Sequence, residues 1–469
     1  MPTLGRKFLR SWSDLGPRFL PFADAASPEL PLLRLLRLSL FQVSVGMALV
    51  LLVGTLNRVM IVELGVPASL VGVMVSLPVL FAPLRALIGF RSDTHQSALG
   101  WRRVPFIWKG TMLQFGGFAI MPFALLVLSG GGESQQWPAW IGHLGAGAAF
   151  LLVGAGLHTT QTAGLALATD LAPEHAQPKV VGLMYVSQLV GMIGSALIFG
   201  EMLRDFTPAR LVQVIQGAAV ATIALNILSL WKQETRRPPR GAARRTHPGF
   251  VAAWRSFSAH AQAPRRLTAI AIGTLGFSMQ DVLLEPYGGQ VLGLTVSATT
   301  FLTATLAFGG LVGFGFASRV LGRGADPIRM ATAGALVGIP AFAAVIAAAP
   351  AQWPMLFGAG VWLVGLGGGL FGHGTLTATM HLAPRDQVGL ALGVWGAVQA
   401  TAAGVGVATG ALLRDPVGAG SEPTAGYAAV YATEVVLLAA TIAILLPLCR
   451  RPSSAAPIFQ HETSCREER

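Results

Sequence analysis

Charged side chains inside long apolar runs are the first candidates for chemistry in this sequence. Arg58 interrupts one such run, and Asp281 and Glu285 interrupt another, four residues apart. Residues four apart share one face of a helix, and a charge at membrane depth is costly enough to indicate a pathway, a proton site or an ion pair. Two interpretations stay open: a neutralising ion pair between Arg58 and Asp281, or a group that titrates or contacts cargo. The amides of Asn57 and Gln280 complete this candidate constellation.

A helix break is predicted directly beside these residues. Pro286 follows Glu285 and precedes Tyr287 and two glycines. Proline and glycine interrupt the backbone hydrogen bonds of a helix, and the freed groups need a cavity or a protein neighbour in the membrane.

Two histidines also lie in apolar segments. His158 is followed by the polar residues Thr-Thr-Gln-Thr, and His373 stands between two glycines. A neutral imidazole nitrogen is a suitable ligand for a metal held in a macrocycle. It is equally suited to a hydrogen bond with a neighbouring helix. Both histidines are therefore candidate ligands, with interhelical bonding as the alternative.

Composition places all these residues in a polytopic membrane protein. The chain has 469 residues, of which 53% are hydrophobic and only 12% charged. Soluble domains carry about 25% charged residues, so an ordinary soluble enzyme is excluded. The net charge of +12 comes from short basic runs between apolar stretches, which indicates membrane topology and no nucleic-acid partner. Phosphate-binding, zinc-binding and nucleophile-elbow motifs are absent from the sequence, so neither catalysis nor a metal site is expected.

Twelve membrane-spanning helices are predicted from apolar windows of about 20 residues, the length that crosses a bilayer. They cover residues 38–62, 66–90, 106–129, 139–167, 180–200, 211–231, 267–291, 297–321, 328–348, 355–380, 388–413 and 427–448. The corresponding domains are an amino-terminal segment (1–37), a six-helix half (38–231), a basic linker (232–266), a second six-helix half (267–448) and a tail (449–469).

The distribution of positive charge predicts the orientation of the spans. With the amino-terminal segment in the cytoplasm, Arg204, Arg210 and Arg414 are the lysines and arginines that fall in outer connections. Lysine and arginine are concentrated on the cytoplasmic side of membrane proteins. Both termini and the linker are therefore predicted to be cytoplasmic.

The two halves repeat in sequence, which predicts the overall architecture. Residues 57–61 match residues 280–284, and residues 171–173 match residues 382–384 in the same order. Two parallel six-helix repeats joined by a cytoplasmic linker describe the major facilitator fold. The expected class is thus an all-α membrane protein with twelve transmembrane helices.

A loop motif between the second and third predicted spans agrees with that fold. Its residues are Gly89, Asp93, Gly100, Arg102 and Arg103, with four more residues between the aspartate and the second glycine than the superfamily pattern has. An aspartate at a helix end can pair with arginines or with the amide groups of another helix end.

Several long segments carry a resemblance to one known family. These are residues 18–24, 54–64, 92–95, 161–171 and 280–290. They resemble the PucC/LhaA family, also called the bacteriochlorophyll delivery family, a branch of the major facilitator superfamily in purple phototrophic bacteria. The resemblance extends over nearly the whole chain, from residue 18 to residue 448.

The resemblance implies a role in assembling light-harvesting antenna complexes, by helping bacteriochlorophyll reach newly inserted antenna polypeptides. It implies transient binding of bacteriochlorophyll, for which His158 and His373 are the candidate ligands, and no catalysed reaction. Expected partners are antenna polypeptides of the core or the peripheral complex, pigment-synthesis and membrane-insertion machinery, and lipids. The expected location is the bacterial inner, intracytoplasmic photosynthetic membrane. A proton-coupled transporter of a small solute is the alternative, because it would use the constellation around Arg58, Asp281 and Glu285.

Overall fold

The computed structural model describes residues 30–78, 88, 92, 97, 100–130, 134, 136–173, 176–234, 262–380, 388–419 and 423–449. Regular secondary structure in this part of the chain is helical throughout. The helices are α1 (Leu32–Glu63), α2 (Ala68–Ser76), α3 (Val104–Leu128), α4 (Ala139–Leu171), α5 (Gln177–Met202), α6 (Pro208–Leu230), α7 (Ala263–Gln290), α8 (Val296–Leu321), α9 (Pro327–Ala351), α10 (Pro354–Met380), α11 (Val388–Ala419) and α12 (Pro423–Cys449).

The predicted spans match these helices closely. In the described residues, eleven helices are long and apolar enough to cross a membrane. The second predicted span, 66–90, is described at residues 66–78, which include α2, and at residue 88. Helix α1 begins at Leu32, before the predicted start at residue 38, and Ser39 forms a turn between its first two α-helical parts. A helix needs apolar side chains only where it crosses the hydrocarbon layer. Helix α1 can therefore extend beyond the apolar window at its amino-terminal end.

Some predicted segments lie outside the described residues. They are the amino-terminal segment up to residue 29, the linker from 235 to 261 and the tail from 450. In the loop motif, Gly89 and Asp93 also fall outside them.

Glycines set the closest approaches between helices. In the pairing of α8 with α10, a Cβ atom on Gly309 would collide with the carbonyl oxygen of Trp362, and one on Gly365 would collide with that of Leu306. The pairings of α3 with α4 and of α9 with α10 are also extensive. Small residues are favoured at such contacts because lipid tails provide no hydrophobic drive for helix association, so close van der Waals packing must do so.

The two halves, α1–α6 and α7–α12, meet along three seams. Helix α5 packs against α8, α2 against α11, and α1 against α7 and α8. The largest cluster of buried apolar side chains runs continuously across these seams and includes residues of both halves, from Val45 to Leu438. The halves are therefore joined by packing as well as by polar contacts.

Polar contacts between the halves gather toward one end of the bundle. We call this the Ser69 end, since α1 and α7 finish there and α2 starts there at Ala68; the opposite end, where α3 starts, is the Arg103 end. Between described residues, four hydrogen bonds cross from one half to the other, and all lie nearer the Ser69 end. They join Thr55 to Thr300, Asn57 to the carbonyl of Val282, Arg58 to the carbonyl of Leu294, and the Ser69 amide to Asp415.

The beginning of α1 is held against the end of the first half. The guanidinium of Arg34 donates to the side chain and the carbonyl of Gln233, at 3.1 and 2.7 Å. The Gln233 amide donates back to the Arg34 carbonyl at 3.2 Å. Arg37 donates to the carbonyl of Trp231 at 2.8 Å. The first residues of the predicted linker are thus fixed to α1.

The glycine packing yields a stability prediction. We expect Gly309→Ala to lower the free energy of unfolding by about 1–3 kcal/mol, because the added methyl group meets backbone atoms of α10 that cannot move without shifting the helix. The matched control is Gly315→Ala on the same helix, where a Cβ atom has no neighbour within 4 Å. The measurement is the thermal unfolding temperature of each variant in detergent. Equal unfolding temperatures for the two variants would contradict the packing described here.

Candidate functional site

The candidate site begins with two irregular helices that meet at the seam. Helix α1 contains wide π-helical turns at Val50–Thr55 and Val59–Glu63. Helix α7 contains a tight 3₁₀ turn at Met279–Val282. Such turns inside longer helices change the direction of side chains and are frequent at functional sites. Here they set the directions in which the polar residues of both helices project.

The break in α7 precedes Pro286, so its predicted position after Glu285 is wrong. Residues Leu284–Gln290 are α-helical and include Pro286. Proline is tolerated in the first turn of a helix, where its missing amide has no intrahelical acceptor. The preceding 3₁₀ turn makes Pro286 a residue of a new first turn, and this removes the expected conflict.

The register between α1 and α7 places each charged side chain over a glycine of the other helix. On α1, Gly54 and Arg58 are one turn apart; on α7, Glu285 and Gly289 are one turn apart. A Cβ atom on Gly54 would collide with the Glu285 carboxyl group, and one on Gly289 would lie 3.1 Å from the Arg58 guanidinium. The two glycines thus provide the space in which the charged groups are buried.

The hypothesis of an ion pair between Arg58 and Asp281 is wrong in this arrangement. Arg58 is 4% exposed and forms its ion pair with Glu63, five residues later on the same helix. It also donates to the carbonyl of Leu294 at 3.2 Å. Repeat symmetry makes residues 58 and 281 equivalent in the two halves, but the helices cross with Arg58 beside Gly289, two turns further along α7.

Glu285 is buried beside Arg58 without pairing with it. Its side chain is 2% exposed, and one carboxyl oxygen accepts a hydrogen bond from the hydroxyl of Thr303 on α8. The other oxygen, Oε2, has no hydrogen-bond partner. On the Arg58 side, Nε is likewise buried and without a partner. A buried acceptor and a buried donor therefore remain unsatisfied on opposite sides of the seam.

The other predicted members of the constellation are close to this pair. Asp281 is partly buried and accepts a hydrogen bond from the Gln280 side chain. Asn57 is fully buried and donates across the seam to the carbonyl of Val282 at 3.2 Å. The structure therefore brings all five predicted residues to one region, although in a different set of contacts.

Glu434 on α12 is a residue that the sequence reasoning missed. It is fully buried, and its Oε1 accepts a hydrogen bond at 2.7 Å from the backbone amide of Gln280, in the 3₁₀ turn of α7. The second oxygen and the nearby Tyr431 hydroxyl are buried without hydrogen-bond partners. A single acidic residue in the last apolar run was the available signal. Its role follows only from its contact with the turn.

A further contact closes the Ser69 end. The carboxylate of Asp415 on α11 accepts a hydrogen bond at 2.6 Å from the amide of Ser69, in the first turn of α2. Arg414 pairs with Asp415 at 2.8 Å and donates to Gln290 at 2.7 Å. A negative charge at the start of a helix is stabilised by the amide groups exposed there. This contact joins the second half to the first.

At the Arg103 end, charged residues connect elements of the first half. Arg102 and Arg103 both pair with Asp170 at the end of α4, at 2.5 and 3.0 Å. The Glu234 carboxylate accepts from the backbone amides of Arg102, Arg103 and Val104, where α3 begins. Gly100 has a φ of +77°, a value that suits glycine. Three residues of the predicted loop motif are therefore placed in one described cluster.

The candidate histidines lie on helices of different halves. His158 is on α4 and partly buried, whereas His373 on α10 is 9% exposed with its ring centroid 4.2 Å from that of Phe314. No group of three or more His, Cys, Asp or Glu side chains in the described ranges could hold a metal ion.

Neighbouring helices occupy most of the space that the glycines beside these histidines offer. The space beside Gly154 is occupied by Pro78, that beside Gly156 by α3, and that beside Gly374 by α9. At Gly372, by contrast, no heavy atom lies within 4 Å of the position that a Cβ atom would take. Of these four glycines, Gly372, next to His373, is therefore the one that leaves space for the flat ring of a macrocycle to approach the helix backbone.

Comparisons with known proteins show which sequences this chain resembles. Residues 55–453 match the family model described as PUCC protein. The chain is 63% identical over 420 residues to a protein from Rhodovulum sulfidophilum named Protein PucC, covering 89% of this chain and 92% of that protein. A more distant relative from Rhodobacter capsulatus, named bacteriochlorophyll synthase 44.5 kDa chain, is 29% identical over 82% of this chain and 87% of that protein.

Solved structures confirm the major facilitator fold predicted from the repeat. A bacterial homologue of the iron transporter ferroportin, in an inward-facing state, aligns with a TM-score of 0.65 and 14% identity, covering 89% of this chain and 98% of that one. A bacterial homologue of the lysosomal transporter Spinster aligns with a TM-score of 0.64 and 16% identity, covering 89% and 96%.

The contact between Glu434 and α7 yields a second prediction. We expect Glu434→Leu to be less stable than Glu434→Gln by about 1–3 kcal/mol, because only glutamine keeps an oxygen acceptor for the buried amide of Gln280. Glutamine and leucine are both uncharged and similar in size, so each variant controls the other for charge and volume. Unfolding in detergent measures the difference, and equal stability of the two variants would show that the turn in α7 does not depend on this acceptor.

Proposed function

Because the chain belongs to the PucC family, we propose that it is an assembly factor for bacterial light-harvesting antenna complexes. It assists the delivery of bacteriochlorophyll to antenna polypeptides or the insertion of pigment into them. The observation that carries the proposal is the likeness to PucC proteins over nearly the whole chain. The relative named as a bacteriochlorophyll synthase chain supports the link to this pigment. The proposal includes no catalysed reaction.

The geometry suits the handling of an amphiphile between two halves. Hydrogen bonds between the described parts of the halves gather toward the Ser69 end, while the charged cluster at the Arg103 end holds elements of the first half together. A pigment with a polar macrocycle and a long apolar tail could enter laterally between helices and keep its tail in the lipid. Release between the halves toward the Arg103 end is the direction that this asymmetry favours.

Charge distribution supports a location in the membrane with a defined orientation. The Arg103 end carries Arg102, Arg103 and the start of the basic linker, so under the positive-inside rule this end faces the cytoplasm. The location we propose is the bacterial inner, intracytoplasmic photosynthetic membrane, with both termini cytoplasmic. Lipid contacts the exposed apolar side chains, such as Phe123 on α3 and Val436 on α12.

The partners follow from the proposed role. They are antenna polypeptides, pigment-synthesis enzymes that supply bacteriochlorophyll, and the machinery that inserts antenna polypeptides. The proposal includes antenna polypeptides of both the core and the peripheral complex. Bacteriochlorophyll is cargo here, bound transiently, and His373 beside the open position at Gly372 is the better placed of the two candidate ligands.

Proton-coupled transport of a small solute is the second candidate. It is favoured by one observation, the buried Glu285 carboxyl group at the seam between the halves. Pigment content discriminates between the two candidates. Chlorophyll-type absorption of the detergent-purified protein supports the assembly factor, and uptake driven by a pH gradient in proteoliposomes supports the transporter.

Deletion of the gene in a phototrophic host tests the assembly role. We expect antenna absorption of the membranes to fall while bacteriochlorophyll is still synthesised, because the protein acts after synthesis. The measurement is the membrane absorption spectrum together with pigment extracted from whole cells, with the gene restored in trans as the control. Accumulation of a pigment precursor that the purified protein converts to product would instead make the protein an enzyme.

Histidine substitutions test the pigment ligands. We expect His373→Leu to lower co-purified pigment at an unchanged protein level, because leucine offers no nitrogen to the metal of the macrocycle. His158→Leu tests the other candidate, and His143→Leu on α4 is the matched control for a histidine outside both candidate positions. Asparagine variants at 158 and 373 keep polarity without imidazole. If pigment is unchanged in both leucine variants, neither histidine is a ligand.

A further inference from the structure

The seam between α1 and α7 holds a donor and an acceptor that do not satisfy each other. Arg58 Nε and Glu285 Oε2 are both buried, and neither has a hydrogen-bond partner. The two side chains lie on the facing surfaces of the two helices, each over a glycine of the other. Leaving both groups unsatisfied at buried positions is costly, so this arrangement requires a reason.

Arg58 has two carboxylates within its surroundings, one in each half of the protein. It pairs with Glu63, on its own helix, whose side chain is 36% exposed at the Ser69 end. The alternative is Glu285, on α7 of the other half. While Arg58 pairs with Glu63, its contact with the other half is the hydrogen bond to the carbonyl of Leu294, whereas pairing with Glu285 would place an ion pair between the halves. The partner that Arg58 takes therefore changes how strongly the two halves are held together at the seam.

We propose that Glu285 is a proton-binding site whose occupancy selects the partner of Arg58. With a proton on its carboxyl group, Glu285 is neutral and is satisfied on one oxygen by Thr303, and Arg58 pairs with Glu63 as in the structure. When that proton is lost to water, the negative carboxylate attracts Arg58 across the seam, and the halves become joined by an ion pair.

The surrounding charges allow this exchange. Arg58 and Glu63 are the charged groups on the facing part of α1, and Asp281 is the other carboxylate on the same stretch of α7. Helix α8 contributes the hydroxyl groups of Thr303 and Thr299 here, and its charged residue, Arg319, lies at the opposite end. Glu434 contacts the 3₁₀ turn of α7 from α12, where it accepts a hydrogen bond from the Gln280 amide. Arg414 on α11 also contacts α7, at Gln290, but is paired with Asp415. Arg58 is therefore the cation beside Glu285.

The sign of the pH effect follows from this arrangement. Protonation at low pH removes the attraction between Glu285 and Arg58, so hydrogen bonds without that ion pair, as in the structure, hold the Ser69 end and it opens more readily. Loss of the proton at higher pH strengthens the link between the halves, so this end stays closed. The inference goes beyond the proposed role in antenna assembly, since it concerns the protein alone, and it could fail while the deletion result stands.

Distance measurements between spin labels test the proposal in purified, full-length protein. Labels would be placed at Arg204→Cys after α5 and Met355→Cys on α10, which are 73% and 77% exposed and lie on different halves at the Ser69 end. Cys449 and Cys465 would be replaced by serine. We expect a longer label distance to become populated as pH falls. Glu285→Gln should show the longer distance at every pH, because the amide mimics the protonated acid.

Glu434→Gln is the matched control, because it replaces another buried carboxyl group of the same half, one that is bonded to the Gln280 amide. This variant should keep the pH dependence of the unmodified chain. Infrared difference spectra should also show a carboxylic acid band that Glu285→Gln removes and Glu434→Gln retains. A label distance independent of pH in the unmodified chain would falsify the proposal. So would a pH dependence that survives Glu285→Gln or disappears in Glu434→Gln.

Discussion

A polar group inside a bilayer has to find its partners within the protein, because no water is present to satisfy it. The backbone meets this constraint by forming helices, and the helices approach one another at glycines, where carbonyl groups and side chains can come close. The charged side chains satisfy the same constraint at the seam between the halves. There, Arg58 and Glu285 each occupy the space over a glycine of the opposite helix. The irregular turns in α1 and α7 are part of the same solution, since they redirect side chains that a regular helix would leave elsewhere.

The polar contacts are distributed unequally between the two ends of the bundle. At the Ser69 end they cross from one half to the other, through Asn57, Arg58 and the carboxylate of Asp415. At the Arg103 end, the described contacts of Arg103, Asp170 and Glu234 connect elements of the first half. At the Arg103 end, polar contacts thus join helices within the first half. At the Ser69 end, they join the two halves to each other. The proposed delivery of pigment between the halves would use this asymmetry.

The errors in the sequence-based predictions have a common physical origin. Repeat matching made Arg58 equivalent to Asp281, but equivalence in a repeat describes position within a half and says nothing of which residues oppose each other. The actual crossing brings Arg58 beside Gly289. Glu434 was missed for a related reason. Its sequence neighbours are apolar, and its partner is a backbone amide in another helix, so no pattern in the sequence pointed to that contact.

The sequence by itself determined where the spans lie along the chain, the repeat of the two halves and the family. These properties are local or periodic: a run of about 20 apolar residues is sufficient to predict a span, whatever it packs against. Tertiary structure decided which glycines receive a side chain, which carboxylate pairs with Arg58 and where α7 breaks. Such contacts join residues far apart in the chain, as with Asn57 and Val282 at a separation of 225 residues. They depend on the rotation and register of packed helices, which apolar composition leaves undetermined.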